Sequence, residues 1–127
     1  MSYFAAQEFM CRCGRHECEA PRDVSVDLLS RLDNLRYRLD RPVVITSGLR
    51  CAYWNARQSG TADSEHLTGE AADIACASGA ERWAILAAIF SGTAPLFTRI
   101  GIGKTFVHLG ASKTHPAHVT WTYYGAA

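Results

Sequence analysis

The chain has 127 residues, 48% of them hydrophobic, with 13 basic and 12 acidic side chains and a formal net charge of +1. That is the length of one domain and enough to bury roughly two thirds of the unfolded surface. The balanced charge gives no case for nucleic acid or an anionic membrane as a partner, and no apolar run approaches the roughly 20 residues of a membrane span, so no membrane insertion is expected.

The N-terminal Met1-Ser2-Tyr3-Phe4 has neither a basic start nor an apolar stretch behind it. No signal peptide is expected, and synthesis is read as cytoplasmic. The five cysteines are Cys11, Cys13, Cys18, Cys51 and Cys76, an odd number that points to reduced thiols. Cys11, Cys13, His16 and Cys18 together offer the donor types of a structural zinc set. The one-residue spacing of the first pair fits such a site poorly, so free thiols in a tight loop are the favoured reading. Cys51 and Cys76 read as small core residues.

Asp23 is placed to cap a helix running to about Leu39. Leu28, Leu32, Leu35 and Leu39 recur there at helical spacing and predict a core-facing stripe. Pro42 ends that segment. Residues 43–46 are β-branched throughout and read as a buried strand. Residues 52–67 read as irregular, with Gly60 and Gly69 as turn points. A short strand is expected over 71–75, then an alanine-rich helix over 79–90 with Trp83, Leu86 and Ile89 or Phe90 on its core face. Three strands follow over 99–102, 106–109 and 119–123, the first two joined by Gly103-Lys104. One long helix followed by short strands predicts a single α+β domain, residues 1–127, with a mainly antiparallel sheet.

The most informative stretch is Ser64-Glu65-His66-Leu67-Thr68-Gly69-Glu70-Ala71-Ala72-Asp73, followed later by Thr105-Phe106-Val107-His108-Leu109. Side chains alternate along a strand, so Asp73 sits between Ala71 and Ala75 on a face with room around it. On the later strand His108 shares a face with Phe106 and Gly110, while Val107 and Leu109 point the other way. Two imidazoles and one carboxylate make a three-ligand zinc set with a position left for water. The pattern Ser64-x-His66-x-x-Gly69-x-Ala71-x-Asp73 resembles the signature of zinc D-Ala-D-Ala carboxypeptidases and related peptidoglycan endopeptidases, whose fold hedgehog signalling domains share. Ser47-Gly48-Leu49-Arg50, Phe106-Val107-His108 and Trp121-x-Tyr123 resemble further segments of that family, so that the resemblance runs from about Phe9 to Tyr124.

The resemblance implies the hedgehog/DD-peptidase-like fold, Zn2+ held by His66, Asp73 and His108, and Arg50 beside the substrate. A planar guanidinium suits a substrate carboxylate or oxyanion there; tying loops together is the structural alternative. Ser64 and Asn55 are expected to support the site, and Trp121 and Tyr123 either wall the cleft or pack in the core. The implied activity is a metallopeptidase, of carboxypeptidase or endopeptidase type, acting as a monomer on a peptidoglycan peptide at or near D-alanine. Release to the wall through a phage or prophage lysis system, with a separate permeabilising partner, is the delivery route such a member would need.

The pattern departs from the family at the general base. Some relatives carry an acid three positions before the last histidine, where this chain has Thr105. Others carry aspartate two positions after it, where this chain has Gly110. His115, in a loop able to fold over the cleft, is the first substitute and Glu65 the second, although Glu65 and Glu70 both read as solvated. Without a base the alternative is a zinc-stabilised, catalytically weak binding domain. On this reading the natural protein is a weak hydrolase, and Gly110→Asp raises its rate if the backbone there is ordinary strand.

Overall fold

The structure, a computed structural model, describes residues 2–123; Tyr124, the far end of the resemblance, lies outside the described residues. Helix α1 spans Val26–Leu39. Its cap is Ser25 and not Asp23: the Ser25 hydroxyl accepts from the Leu28 amide at 3.1 Å. Asp23 falls outside the helix because the Ser25 amide is held by the Gly69 carbonyl at 2.8 Å, which fixes where the chain can begin to wind. Leu28, Leu32 and Leu35 are fully buried and Leu39 packs at the core's margin. Asp40 takes a left-handed conformation (φ 52°) and closes the helix.

Strand β1 is Ile45–Ser47, later in the chain than expected, since Val44 is 58% exposed. Residues 52–67 are not irregular throughout. A short helix α2 spans Ala52–Arg57, and a 3-10 turn covers Glu65–Thr68. Helix α2 starts on Cys51, whose thiol takes the place of the usual hydroxyl cap. Strand β2 is Ala71–Ala75 and helix α3 Gly79–Phe90. The core face of α3 is Ile85, Ala88 and Ile89, while Trp83 and Phe90 are exposed. The i, i+3, i+4 set that meets α1 turns both large aromatics outward. Strands β3 (Arg99–Ile102), β4 (Phe106–Gly110) and β5 (Val119–Thr122) complete the sheet.

The strand order is β1-β2-β4-β3-β5. Three pairings are antiparallel, and β5 runs parallel to β3. The alternation of β2 and β4 puts Ala72, Ile74, Val107 and Leu109 against the helices, all buried. The opposite face carries polar residues in register. Ser47 pairs with Asp73, Asp73 with His108, His108 with Gly101, and Gly101 with Trp121, one rung across all five strands. The expected α+β domain is therefore present, with a mixed sheet.

The helical core and the solvent face of α3 should separate cleanly in a stability assay. Leu32→Ala, which opens a void under α1, should cost about 2–5 kcal/mol in urea unfolding. Trp83→Ala should stay within about 0.5 kcal/mol of the parent. Comparable losses for both would place the α3 tryptophan in the core after all.

Candidate metal centre

His66 enters from the 3-10 turn, whose cap is the Ser64 hydroxyl accepting from the His66 amide at 3.2 Å. Gly69, at φ 74°, returns the chain to β2; a Cβ there would also press on the Asp23 carbonyl. His66 Nδ1 lies 2.7 Å from the Gly48 carbonyl. A carbonyl only accepts, so Nδ1 carries the proton and Nε2 presents a lone pair. That nitrogen lies 3.3 Å from Asp73 Oδ1. His108 repeats the arrangement: Nε2 faces Glu65 Oε2 at 2.8 Å and donates to it, which turns the Nδ1 lone pair on Asp73 Oδ1 at 2.9 Å.

Three acceptor atoms thus converge, and all lie within 4.8 Å of one another. Three buried lone pairs repel unless a cation lies among them. One divalent ion satisfies all three, and two nitrogens with one carboxylate oxygen are the donors zinc takes. The residues fit the metal. Burial alone would raise the Asp73 pKa, but the neighbouring His108 and His66 imidazoles outweigh it and hold the carboxyl well below its usual range. Burial likewise opposes charge on His108, and the Asp73 and Glu65 carboxylates beside it raise its pKa instead.

Arg50 is buried, and three of its N–H groups are committed: Nε to Ser47 Oγ and Nη1 to Asn55 Oδ1, each at 3.1 Å, and Nη2 to Asp73 Oδ2 at 3.3 Å. Asn55 in turn donates to the Thr61 carbonyl at 2.8 Å. His115 lies at the cleft rim with both nitrogens engaged, Nε2 donating to the Asp63 carbonyl at 2.7 Å and Nδ1 accepting from Ser112 Oγ at 2.6 Å. It fastens one side of the cleft to the other. Trp121 and Tyr123 stand in the cleft wall, their rings 5.3 and 6.4 Å from that of His108. Gly101 makes this possible, since a Cβ there would run into both rings.

Glu65 is the residue the sequence reading misplaced. It is buried, not solvated. Its carboxylate accepts from His108 Nε2, from Arg99 Nε at 3.1 Å to each oxygen, and from the Ser112 amide at 3.2 Å. Burial would raise its pKa, yet His108 and Arg99 together lower it. It lies over the neighbouring rung, where Ala71 and Arg99 both pair with Gly110. A Cβ on Gly110 would fall on the Glu65 carboxylate. The missing carboxylate of β4 is therefore replaced in space by one from the 3-10 turn. Gly110 and Ala71, two nearly bare positions side by side, were the signal that a side chain from elsewhere fills the gap. Glu70, by contrast, is half-buried and bonds Thr68 Oγ1 at 2.6 Å, away from the metal donors.

A single α+β domain with a buried His-Asp-His donor set at the floor of an open cleft is the class that these features define. A family model described as Peptidase M15 matches residues 2–110, and the chain belongs to that family of zinc-dependent peptidases. Among curated proteins none matches the chain. Among the described residues no helix is long and apolar enough to cross a membrane.

Zinc at this centre should be lost in His66→Ala and in His108→Ala, as read by elemental analysis, with helical circular dichroism retained. Full metal content in both variants would refute the donor set. The Gly110→Asp expectation changes sign. The new side chain must displace Glu65, so the variant should lose about 1–3 kcal/mol of stability and gain no activity.

Proposed function

We propose that this chain is a zinc-dependent peptidase cleaving stem or cross-link peptides of peptidoglycan at or near D-alanine. The observation that carries the reading is Glu65. A buried carboxylate stands beside His108 where the family pattern leaves β4 bare, and it orients that imidazole for a metal, which supports a working zinc centre. The family supports peptide hydrolysis, and the resemblance of the Ser64–Asp73 decamer supports the wall substrate.

A cleft of about 540 Å3 opens above the donors, within the size range of small-ligand sites. Its walls are Arg50, Arg99, His115, Trp121 and Tyr123. The rings exclude water beside His108, and the Arg50 N–H groups not bound to Ser47, Asn55 and Asp73 are offered to a substrate carboxylate or carbonyl oxygen. When bound, zinc supplies the Lewis acidity that activates water and polarises a carbonyl. Glu65 fixes the tautomer of His108 by accepting the Nε2 proton, and Arg99 and the Ser112 amide fix Glu65. This is the carboxylate–histidine support that orients metal ligands.

Incubation of purified peptidoglycan with the zinc-loaded protein should release new amino or carboxyl termini, read by mass spectrometry of muropeptides, and chelation should abolish the release. Glu65→Gln should lower the rate or the zinc affinity about 10- to 100-fold, with Glu70→Gln close to the parent. Arg50→Lys should lose about 3 kcal/mol of transition-state stabilisation while keeping zinc. His115→Ala should retain most of the rate, because both its nitrogens serve the rim. If His115→Ala is inert and Glu65→Gln is not, the base is His115. If the zinc-loaded parent is inert on several wall peptides, the binding-domain reading replaces this one.

A further inference from the structure

The N-terminal cysteines form a second cluster, and the chain folds a distant residue into it. Cys11, Cys13 and Cys18 lie on the loop after a 3-10 turn at Ala6–Phe9. Cys51 lies at the start of α2. The four sulfurs are all within 4.8 Å of one another, with Cys11 and Cys51 at 3.8 Å. All four are free thiols. A zinc ion bound by thiolates at about 2.3 Å places the sulfurs of a tetrahedron about 3.8 Å apart. A disulfide would need only two of the sulfurs; the convergence of four on one point is what a tetrahedral metal demands.

The surroundings match. Backbone amides point at three of the sulfurs, each at 3.4 Å: Cys51 N at Cys11, Arg15 N at Cys13, and Trp54 N at Cys51. Such donors stabilise thiolate charge. The turn that aims the Arg15 amide back at Cys13 passes through Gly14 at φ 69°, with open space where a Cβ would be. Cysteine spacing alone had offered His16 as the fourth donor, but His16 is exposed and Cys51 takes that place.

We propose that Cys11, Cys13, Cys18 and Cys51 bind a second, structural zinc ion. Four thiolates fill its coordination, so the site has no open position and no hydrolytic role. Its effect is to staple the N-terminal loop to the first turn of α2. Both attachments matter to the metal centre. Phe9, just before the loop, is buried, and its carbonyl holds the Leu49 amide at 2.8 Å. Cys51 follows Arg50 directly, and α2 supplies the Asn55 that grips the guanidinium. The proposal is independent of peptidase activity.

The test counts metal in the full chain purified with reductant and zinc. The parent should hold about two zinc ions and the His66→Ala/His108→Ala double variant about one. Cobalt loaded into that double variant should show the intense thiolate charge-transfer and visible bands of a tetrahedral sulfur site. Cys13→Ser/Cys18→Ser should lose these bands and the second ion, and should melt at lower temperature. The histidine double variant keeps the test decisive even if the cysteine variant fails to fold. The proposal is overturned if the histidine double variant binds no zinc, or if its cobalt spectrum lacks thiolate bands. It also falls if native mass measurement finds these cysteines paired as disulfides with no metal beside them. An inert but two-zinc protein would sink the peptidase reading and leave this one standing.

Discussion

The Asp73 carboxylate is touched by His66, His108 and Arg50, which arrive from a turn, a strand and a loop. The side chain is almost wholly buried, and a charge in that position is tolerable only when its partners are held in place. The scaffold is arranged to hold them. Gly48 accepts from one imidazole, Glu65 from the other, and Ser47 and Asn55 fix the guanidinium. None of these contacts belongs to the hydrophobic core. They form a polar layer on the far face of the sheet, and its donors and acceptors are matched once a cation is counted with them.

Glu65 shows how a fold can place a charge from a turn where a strand position is bare. Gly110 carries no side chain, and the space above it is filled by a carboxylate from a segment 45 positions earlier in the chain. The two residues are coupled sterically as well as electrostatically. Enlarging one requires moving the other, so substitutions at these positions should not be additive. Arg99 adds a further constraint, since its guanidinium sits 5.2 Å from the Trp121 ring and so ties Glu65 to the aromatic wall.

Local pattern made much of this visible in the sequence. The leucine stripe of α1, the bounds of β2 and α3, and the outward aim of His108 all follow from periodicity over a few residues. The donors His66, Asp73 and His108 were legible because short motifs fix their neighbours. What escaped depended on contacts distant in sequence. The burial of Glu65 is decided by Gly110 and Arg99, and a glutamate beside a histidine gives no local sign of it. Helix α2 has six residues and a thiol cap, too little for a periodic signal. Cys51 reads as a small core residue until the loop carrying Cys11 is seen to pass beside it. The outward turn of Trp83 follows from which stripe α1 meets, since an alanine-rich helix offers more than one.

The parallel pairing of β5 with β3 has a consequence for solubility as well as for the cleft. Once β4 is in place Asp73 and His108 are already in register, and β3 would be left with one row of backbone groups unpaired. Strand β5 covers that row, and being only four residues long it offers a poor template for a further strand. At the other margin β1 is shorter still. The segment that brings Trp121 into the cleft wall thus also caps the sheet, and a chain ending at Gly110 would expose an adhesive edge beside His66, Asp73 and His108.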